Sequence, residues 1–397
     1  MNILFVANRF PYPPFRGDKL KIYNLTRRLA KEHDLYLVTF YENRDELNYL
    51  KDISPYFKEI ELVYLPRWKS ILQCIPALFT NTPLQLAYFK SRKMRRMVKW
   101  SVDNYNIDVL HTQHLRMSQY TFDIDIPKIL DLPDAFSLYF KRRSETDRPL
   151  INRLIDRIEI KRLAKAEQIV KVYDKVLVCS VEDQKYLMKL HQVSNIDILL
   201  NGVDLETFDI KKGHDYTIKD TLLFTGNMDY APNVDAVKFF VKNLWPSIHK
   251  QNPNVKLVVA GQRPVDDILK LKSKAIEVTG FVPDISDLYR SSTLLIAPLR
   301  FGAGTQNKVL EAMAMGVPVI CTNIGFNGLQ IANGEGVIMT ENFEKFAKEV
   351  NQLLSDVDKR REIGEKGFRV ARSRFSWDSI TNDLEGYFKK VIKKALR

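Results

Sequence analysis

Lys308 and Glu311 are the residues of this chain whose types and spacing promise chemistry. They stand three apart in PLRFGAGTQNKVLEAMAMGVPVI (298–320), which puts both on one face of a helix. The lysine supplies a point charge suited to a phosphate. The glutamate can only accept hydrogen bonds, which suits paired hydroxyls such as those of a ribose. The loop ahead carries Gly302 and Gly304, where backbone can approach a ligand closely. A helix is expected to start between Thr305 and Asn307, with its free N–H groups and positive dipole end favouring phosphate oxygens. Gly316 ends that helix, Val317–Ile320 enters a buried strand, and Leu294–Ala297 is the strand before it. Spacing alone leaves two readings open: a diphosphate and ribose cradle, or the ordinary loop and helix of any doubly wound domain with one solvated glutamate.

The elements that must position these residues alternate along the chain. Ile3–Ala7 reads as an apolar strand, 18–32 as a helix with Ile22, Leu25 and Leu29 inward, and Leu35–Phe40 as a second strand. Further strands are expected at 59–65, 107–111, 128–131, 175–179 and 196–200, and 151–172 as the longest helix. The polar stretch 204–220 reads as a linker, and Thr221–Thr225 starts a second doubly wound unit. ILFVANRFPYPP (3–14) and LLFTGNMDYAPN (222–233) both run from strand through Asn and an aromatic residue to proline, as two like-folded units would. A chain of 397 residues, 45% hydrophobic, can bury two cores. The expected division is a first domain at 1–203, a linker at 204–220, a second domain at 221–375 and a closing helix at 376–397.

Cys74, Cys179 and Cys321 are far apart and lack metal-ligand spacing, which points to a reducing compartment and no zinc site. MNILFVANRFPYPP reaches a charge and prolines too soon for a signal peptide, and Ile71–Phe79 is half a membrane span at most. A cytoplasmic protein is expected, at the inner face of the cell membrane if it docks there. The net charge of +13 is uneven: +9 over 1–200, −1 over 201–350 and +5 over 351–397, with five cations in KKVIKKALR. The helix expected at 90–100 carries Met94, Met97, Val98 and Val102 on one face with lysines and arginines around them. It and the basic C-terminal helix are candidates for contact with an anionic membrane, the alternative for 90–100 being an ordinary helix with its apolar face in the core. Net charge alone would also suit a nucleic-acid-binding protein, but no aromatic-interleaved basic stripe or reading motif is present, so no nucleic-acid partner is expected.

KVLEAMAMGVPVI, with GFVPDISDLYRSSTLLIAPL (280–299) ahead of it, resembles the donor-binding half of family 4 retaining glycosyltransferases of the GT-B fold. LLFTGNMDYAPNVDAVKFF (222–240), VVAGQRP (258–264), NGVD (201–204) and RFSWD (374–378) resemble the same family in the expected order, and PYPPFRGD (11–18) fits its opening loop. The resemblance spans nearly the whole chain, with its specific motifs in the second half, and is nearest to bacterial enzymes that build surface polysaccharides. It implies two Rossmann-like α/β domains facing across a cleft, with the C-terminal helix crossing back to the first. It also implies a nucleoside-diphosphate sugar as donor substrate, a glycan or lipid-linked glycan as acceptor, no cofactor and no metal.

What it implies for particular residues follows the motifs. Glu311 matches the ribose-binding glutamate. The arginine and lysine that relatives carry after the first strand of the donor domain are replaced by Asn227 and Pro232, so diphosphate neutralisation falls to Lys308 and Arg300, aided by the N–H groups of Gly304 and Thr305. Arg300 has the alternative of being a surface residue. Phe281 and Val282 are expected to meet the base, and Gly17, ahead of the first helix, to approach the diphosphate unless it is a plain loop glycine. His111 and His114 compete for the place of a functional histidine near the transferred sugar, with His114 further into the loop. Arg116, Tyr120 and Asp131 are expected on the acceptor side. The earlier glutamate of the family signature falls on Ala303, so the sugar cannot be carried over. Asp123-Ile124-Asp125 forms a DxD, expected in a loop without metal. Two alternatives remain: a same-fold epimerase or hydrolase, which would need several more acids than these motifs supply, and the nucleic-acid binder already set aside.

Overall fold

The structure, a computed structural model, describes residues 1–146, 149–209, 213–302, 304–340 and 342–396. The chain divides into two compact units, Met1–Leu200 with Trp377–Arg397, and Asn201–Ser376.

In the first unit seven strands form one parallel sheet in the order β3-β2-β1-β4-β5-β6-β7. They are β1 (Asn2–Ala7), β2 (Asp34–Tyr41), β3 (Glu59–Tyr64), β4 (Val109–Gln113), β5 (Lys128–Leu132), β6 (Lys175–Val178) and β7 (Ile196–Ile198). Runs such as ILFVA are buried on both faces because helices cover both, as a parallel sheet requires. The helices of this unit include α1 (Gly17–Leu29), α2 (Arg67–Ala77), α3 (Arg92–Asn104), α4 (Phe136–Ser144) and α5 (Leu150–Ala166), of which α1, α3 and α4 share core with the strands. Ile22, Leu25 and Leu29 of α1 are buried, as their 3.6-residue period predicts.

The second unit has a six-stranded parallel sheet in the order β10-β9-β8-β11-β12-β13. Its strands are β8 (Thr221–Thr225), β9 (Lys256–Ala260), β10 (Ile276–Gly280), β11 (Leu294–Ala297), β12 (Val319–Thr322) and β13 (Val337–Thr340). The helices used below are α6 (Ala231–Asn243), α7 (Asn307–Ala314) and α8 (Val357–Arg374). Residues read from sequence as a linker belong to this unit. Phe208 and Tyr216 are buried, and the fully buried Arg360 of α8 donates to the Tyr216 carbonyl at 2.7 and 3.1 Å. Each sheet reverses its order beside its first strand, so loops from both directions meet at the C-terminal ends of β1 and β4, and of β8 and β11, where open α/β sheets bind ligands.

The last helix, α9 (Trp377–Ala395), lies on the first unit. Trp377, Ile380, Leu384, Phe388 and Val391 join one core with Phe5, Ile22 and Leu25. Each such large apolar side chain contributes about 1.5–3 kcal/mol on burial. Two expectations are corrected here. The helix starting at 150 is not the longest, because its last residues tighten into a 3₁₀ turn (Glu167–Val172) and α9 runs further. The apolar faces of 90–100 and of the C-terminal helix are also not free to enter a membrane, since Met94 and Val98 are fully buried against Leu4, Val38 and Phe40, and the α9 stripe is core. Cations remain outward on both segments, beside the exposed Trp100 on the first and Asp378, Asp383 and Leu396 on the second.

Candidate functional site

The second unit gathers its polar side chains at the ends of β8 and β11. β8 finishes at Thr225, and Gly226, at φ 146°, turns the chain so tightly that a Cβ there would fall 2.5 Å from Asn233 Nδ2. Asn233, near the start of α6, donates from Nδ2 to the Asn227 carbonyl at 3.0 Å and accepts at Oδ1 from Lys308 Nζ at 2.8 Å. Lys308 is 7% exposed, and its ammonium stands 4.9 Å from the Phe224 ring centroid. Among the described residues that amine has one hydrogen-bond acceptor, Asn233, for its three N–H donors.

One helical turn on, Glu311 Oε2 accepts from the Tyr289 hydroxyl at 2.7 Å, and Tyr289 in turn lies 2.7 Å from Thr225 Oγ1. A carboxylate cannot donate, so the Tyr289 proton points to Glu311 and the Thr225 hydroxyl donates to Tyr289. The chain Thr225–Tyr289–Glu311 fixes the carboxylate. α7 opens at Asn307, within the expected start, and Gln306 gives its first turn no capping hydrogen bond. The loop before it holds Gly302 at φ 152° and Gly304 at φ 65°. Thr305 Oγ1 donates to the Gly328 carbonyl at 3.2 Å, and a Cβ on Gly328 would lie 2.6 Å from Thr305 Cα.

Burial sets the charges here. It lowers Lys308 to about 8, with Glu311 working the other way, and raises the Glu311 carboxyl above its usual range against the pull of Tyr289 and Lys308. Arg300 is occupied differently: its guanidinium forms a two-pronged pair with Asp235 of α6, Nε to Oδ2 at 2.9 Å, over the face of Phe239. Asn227 Oδ1 accepts from Gln262 at 3.0 Å. Phe281 is 57% exposed just beyond Gly280 at φ 74°, with Val282 half-buried beside it. Ala303 lies outside the described residues.

In the first unit a second cluster forms at the ends of β1, β4 and β5. Asp18, in the first turn of α1 next to Gly17, accepts from Arg9 Nη1 at 2.7 Å and Asn8 Nδ2 at 3.3 Å, while its carbonyl accepts from Gln113 Nε2 at 2.6 Å. Burial acts to raise the Asp18 carboxyl, but the adjoining Arg9 outweighs it and holds the group well below the usual carboxylate range. His114 has φ 80°, ψ 146°, a region that costs a non-glycine residue on the order of 1–3 kcal/mol. Its N–H donates to the Asp131 carbonyl at 2.7 Å, and its ring packs 4.6 Å from Phe136 with Nδ1 buried and lacking a hydrogen-bond partner. Burial and then Arg116 push the imidazole well down, so it is neutral near pH 7. Arg116 stands between the Phe89 and Phe136 rings, held by Gln85 at 2.5 and 3.0 Å, and burial with Arg9 nearby brings it down to about 9. Asp134 follows β5, and burial plus repulsion from Asp183 raises it to about 7.

Three expected site residues turn out to be structural. His111 is fully buried between Phe5, 4.8 Å away, and Phe388, with Nε2 3.5 Å from Asp131, so it presents no surface to a ligand. Asp131 is spent on Lys21, 2.8 Å away and equally buried. Tyr120, 2% exposed, donates to the Phe89 carbonyl and accepts from the Ser91 N–H, which uses its hydroxyl to join two chain segments. Asp123 of the DxD pairs with Arg95 at 3.1 Å, and Ile124 is buried. Sequence reading missed Thr225, Tyr289, Asn233 and Asp235 in the second unit and Arg9, Asp18 and Asp134 in the first. Position was the signal for Thr225, Arg9 and Asp134, which stand at or just after the C-terminal end of a parallel strand, whereas Asn233, Asp235, Tyr289 and Asp18 lie on helices.

Two parallel α/β units with polar clusters at their strand ends define the class by its fold, GT-B. Its structural likeness runs over 99% of the chain and 100% of sucrose-phosphate synthase from Thermosynechococcus elongatus, at TM-score 0.74 and 15% identity. It runs over 98% of the chain and 100% of Anabaena HepE, solved in complex with UDP-glucose, at TM-score 0.68 and 14% identity. Within that fold class, residues 219–356, all in the second unit, match the family described as glycosyl transferases group 1. A relative described as an uncharacterized 44.6 kDa protein in the cps region of Klebsiella pneumoniae is 24% identical, over 96% of this chain and 98% of its own. The capsular polysaccharide biosynthesis glycosyltransferase CapM of Staphylococcus aureus is 28% identical over 54% of this chain, which spans 52% of CapM.

Proposed function

We propose that this protein transfers a sugar, with retention, from a nucleoside-diphosphate donor to a glycan or lipid-linked glycan in surface-polysaccharide assembly. The observation that carries the reading is the buried Lys308 ammonium with two N–H donors unengaged among the described residues, one helical turn from a carboxylate aligned by Tyr289. The diphosphate takes those donors and the N–H groups of Gly304 and Thr305; Glu311 takes the ribose hydroxyls; Phe281 and Val282 meet the base. Lys308 comes before Arg300 because Asp235 already balances the guanidinium. HepE in complex with UDP-glucose supports the donor class, and the descriptions of CapM and the Klebsiella relative support the pathway class.

In the reaction so assigned, the bond between the sugar's anomeric carbon and the diphosphate oxygen breaks, and the acceptor oxygen bonds that carbon from the same face. The acceptor proton passes to a departing phosphate oxygen. Lys308 and the loop N–H groups stabilise the charge that develops there, the kind of preorganised stabilisation worth several kcal/mol. Gly17 is assigned to the diphosphate, and His114 and Arg116 to sugar and acceptor, the neutral imidazole of His114 acting as a hydrogen-bond partner. No step is assigned to a metal, so turnover is expected to survive EDTA.

A thermal-shift screen of UDP, GDP, ADP and their sugars tests the donor class. A ligand at a hundred times its Kd adds about 2.7 kcal/mol of stability, several degrees for a domain of this size. One base series should stand out, and a flat response across all three would overturn the reading.

A further inference from the structure

Two neighbouring helices of the first unit are turned inside out. α2 buries Ser70 and Ala77, with Gln73 and Cys74 half-buried on the same face, while Trp68, Ile71 and Leu72 are 67%, 60% and 53% exposed. Phe79, just past its end, is 86% exposed. α5 does the same. It buries Asp156 against Arg143 of α4, and Glu159 against the Leu84 N–H and Arg162, but exposes Leu150, Ile151, Leu154, Ile155 and Ile158 along one side. The helices adjoin, since Arg162 of α5 donates to the Leu78 carbonyl at 2.9 Å. A surface helix in water shows the reverse pattern, and a continuous apolar patch of this kind marks a contact surface.

Charge says what covers it. α2 contains no acidic residue, and the acids of α5, Asp156 and Glu159, both face inward. Around the apolar residues the exposed charges of the two helices are Arg67, Lys69, Arg157, Lys161 and Lys165. Cations rimming an apolar face suit anionic lipid headgroups above acyl chains, and a second copy would instead set cations against cations. We infer that α2 and α5 form a bilayer-docking surface that seats the first unit on an anionic membrane, apolar face down. No helix among the described residues is long and apolar enough to cross a membrane, so the contact is with one leaflet. The inference stands on these two helices alone and is independent of the donor assignment.

Co-flotation with vesicles of phosphatidylglycerol and phosphatidylcholine tests it, comparing the wild type with a variant carrying Ile71→Ser, Phe79→Ser, Leu154→Ser and Ile158→Ser. All four positions are exposed, so the variant should keep the wild-type thermal melt. The wild type should float with anionic vesicles and the variant about tenfold less, given the apolar area removed. Equal flotation of both would overturn the proposal, as would a wild type left at the bottom of every gradient. A wild-type dimer that the variant breaks, with neither protein floating, would replace the bilayer by a second copy.

Discussion

The Tyr289 hydroxyl donates to Glu311 Oε2 at 2.7 Å while lying 2.7 Å from Thr225, so a residue from the loop-side helix ahead of β11 aims the carboxylate of α7. Tyr289→Phe keeps the ring and removes that donor. It should cost about 1–3 kcal/mol of stability by leaving Glu311 under-satisfied. Nucleotide affinity should drop about tenfold while loss for a 2′-deoxynucleotide is smaller, since the carboxylate is read as a ribose contact. Titration calorimetry with both nucleotides checks this, and equal losses would remove the ribose from the account.

Binding should depend on pH through Lys308. Burial holds its pKa down at about 8, so the amine is charged at pH 7 and loses its proton as pH rises through that value. Affinity for a nucleoside diphosphate should therefore fall about tenfold between pH 7 and 9. Lys308→Met should bind more weakly at pH 7 and lose the step. For stability the sign is opposite: a lysine with a lowered folded pKa destabilises the charged fold, so its contribution rises with pH between about 8 and the unfolded value near 10.4.

His114 stores backbone strain, which a pair of variants exposes. Glycine is usually less stable than alanine by about 0.5–1 kcal/mol, but φ 80° should reverse that order and make His114→Gly more stable than His114→Ala. Both should lose turnover if the imidazole contacts substrate. Thermal melts set beside kcat separate the two effects.

Tyr120→Phe should lower stability by about 1–3 kcal/mol, because the Ser91 N–H loses its acceptor and the Phe89 carbonyl its donor in a buried place. KM for the acceptor should stay at the wild-type value, as measured on protein well below its Tm.

How much of this was legible follows from what each signal reports. Apolar runs and 3.6-residue periods placed β1, α1, β2 and β8 closely, because burial of one face leaves a local pattern. Lys308 and Glu311 could be paired from spacing, since a helix turns three-residue separation into adjacency. Tyr289 could not, because its partner is twenty-two positions away and only the fold joins them. His111 and His114 looked alike in sequence. They differ because β4 ends at Gln113, which leaves His111 in the sheet between Phe5 and Phe388 and puts His114 in the turn beyond. Residues 90–100 misled for a related reason: an amphipathic helix has the same pattern whether its apolar face meets a core or a bilayer.

The central claim is that Lys308 and Glu311 hold a nucleoside diphosphate, and titration calorimetry of the best nucleotide against wild type, Lys308→Met and Glu311→Gln tests it most directly. Each variant should weaken binding by about tenfold or more at pH 7 while its fold persists by circular dichroism. Wild-type affinity in both variants would contradict the account.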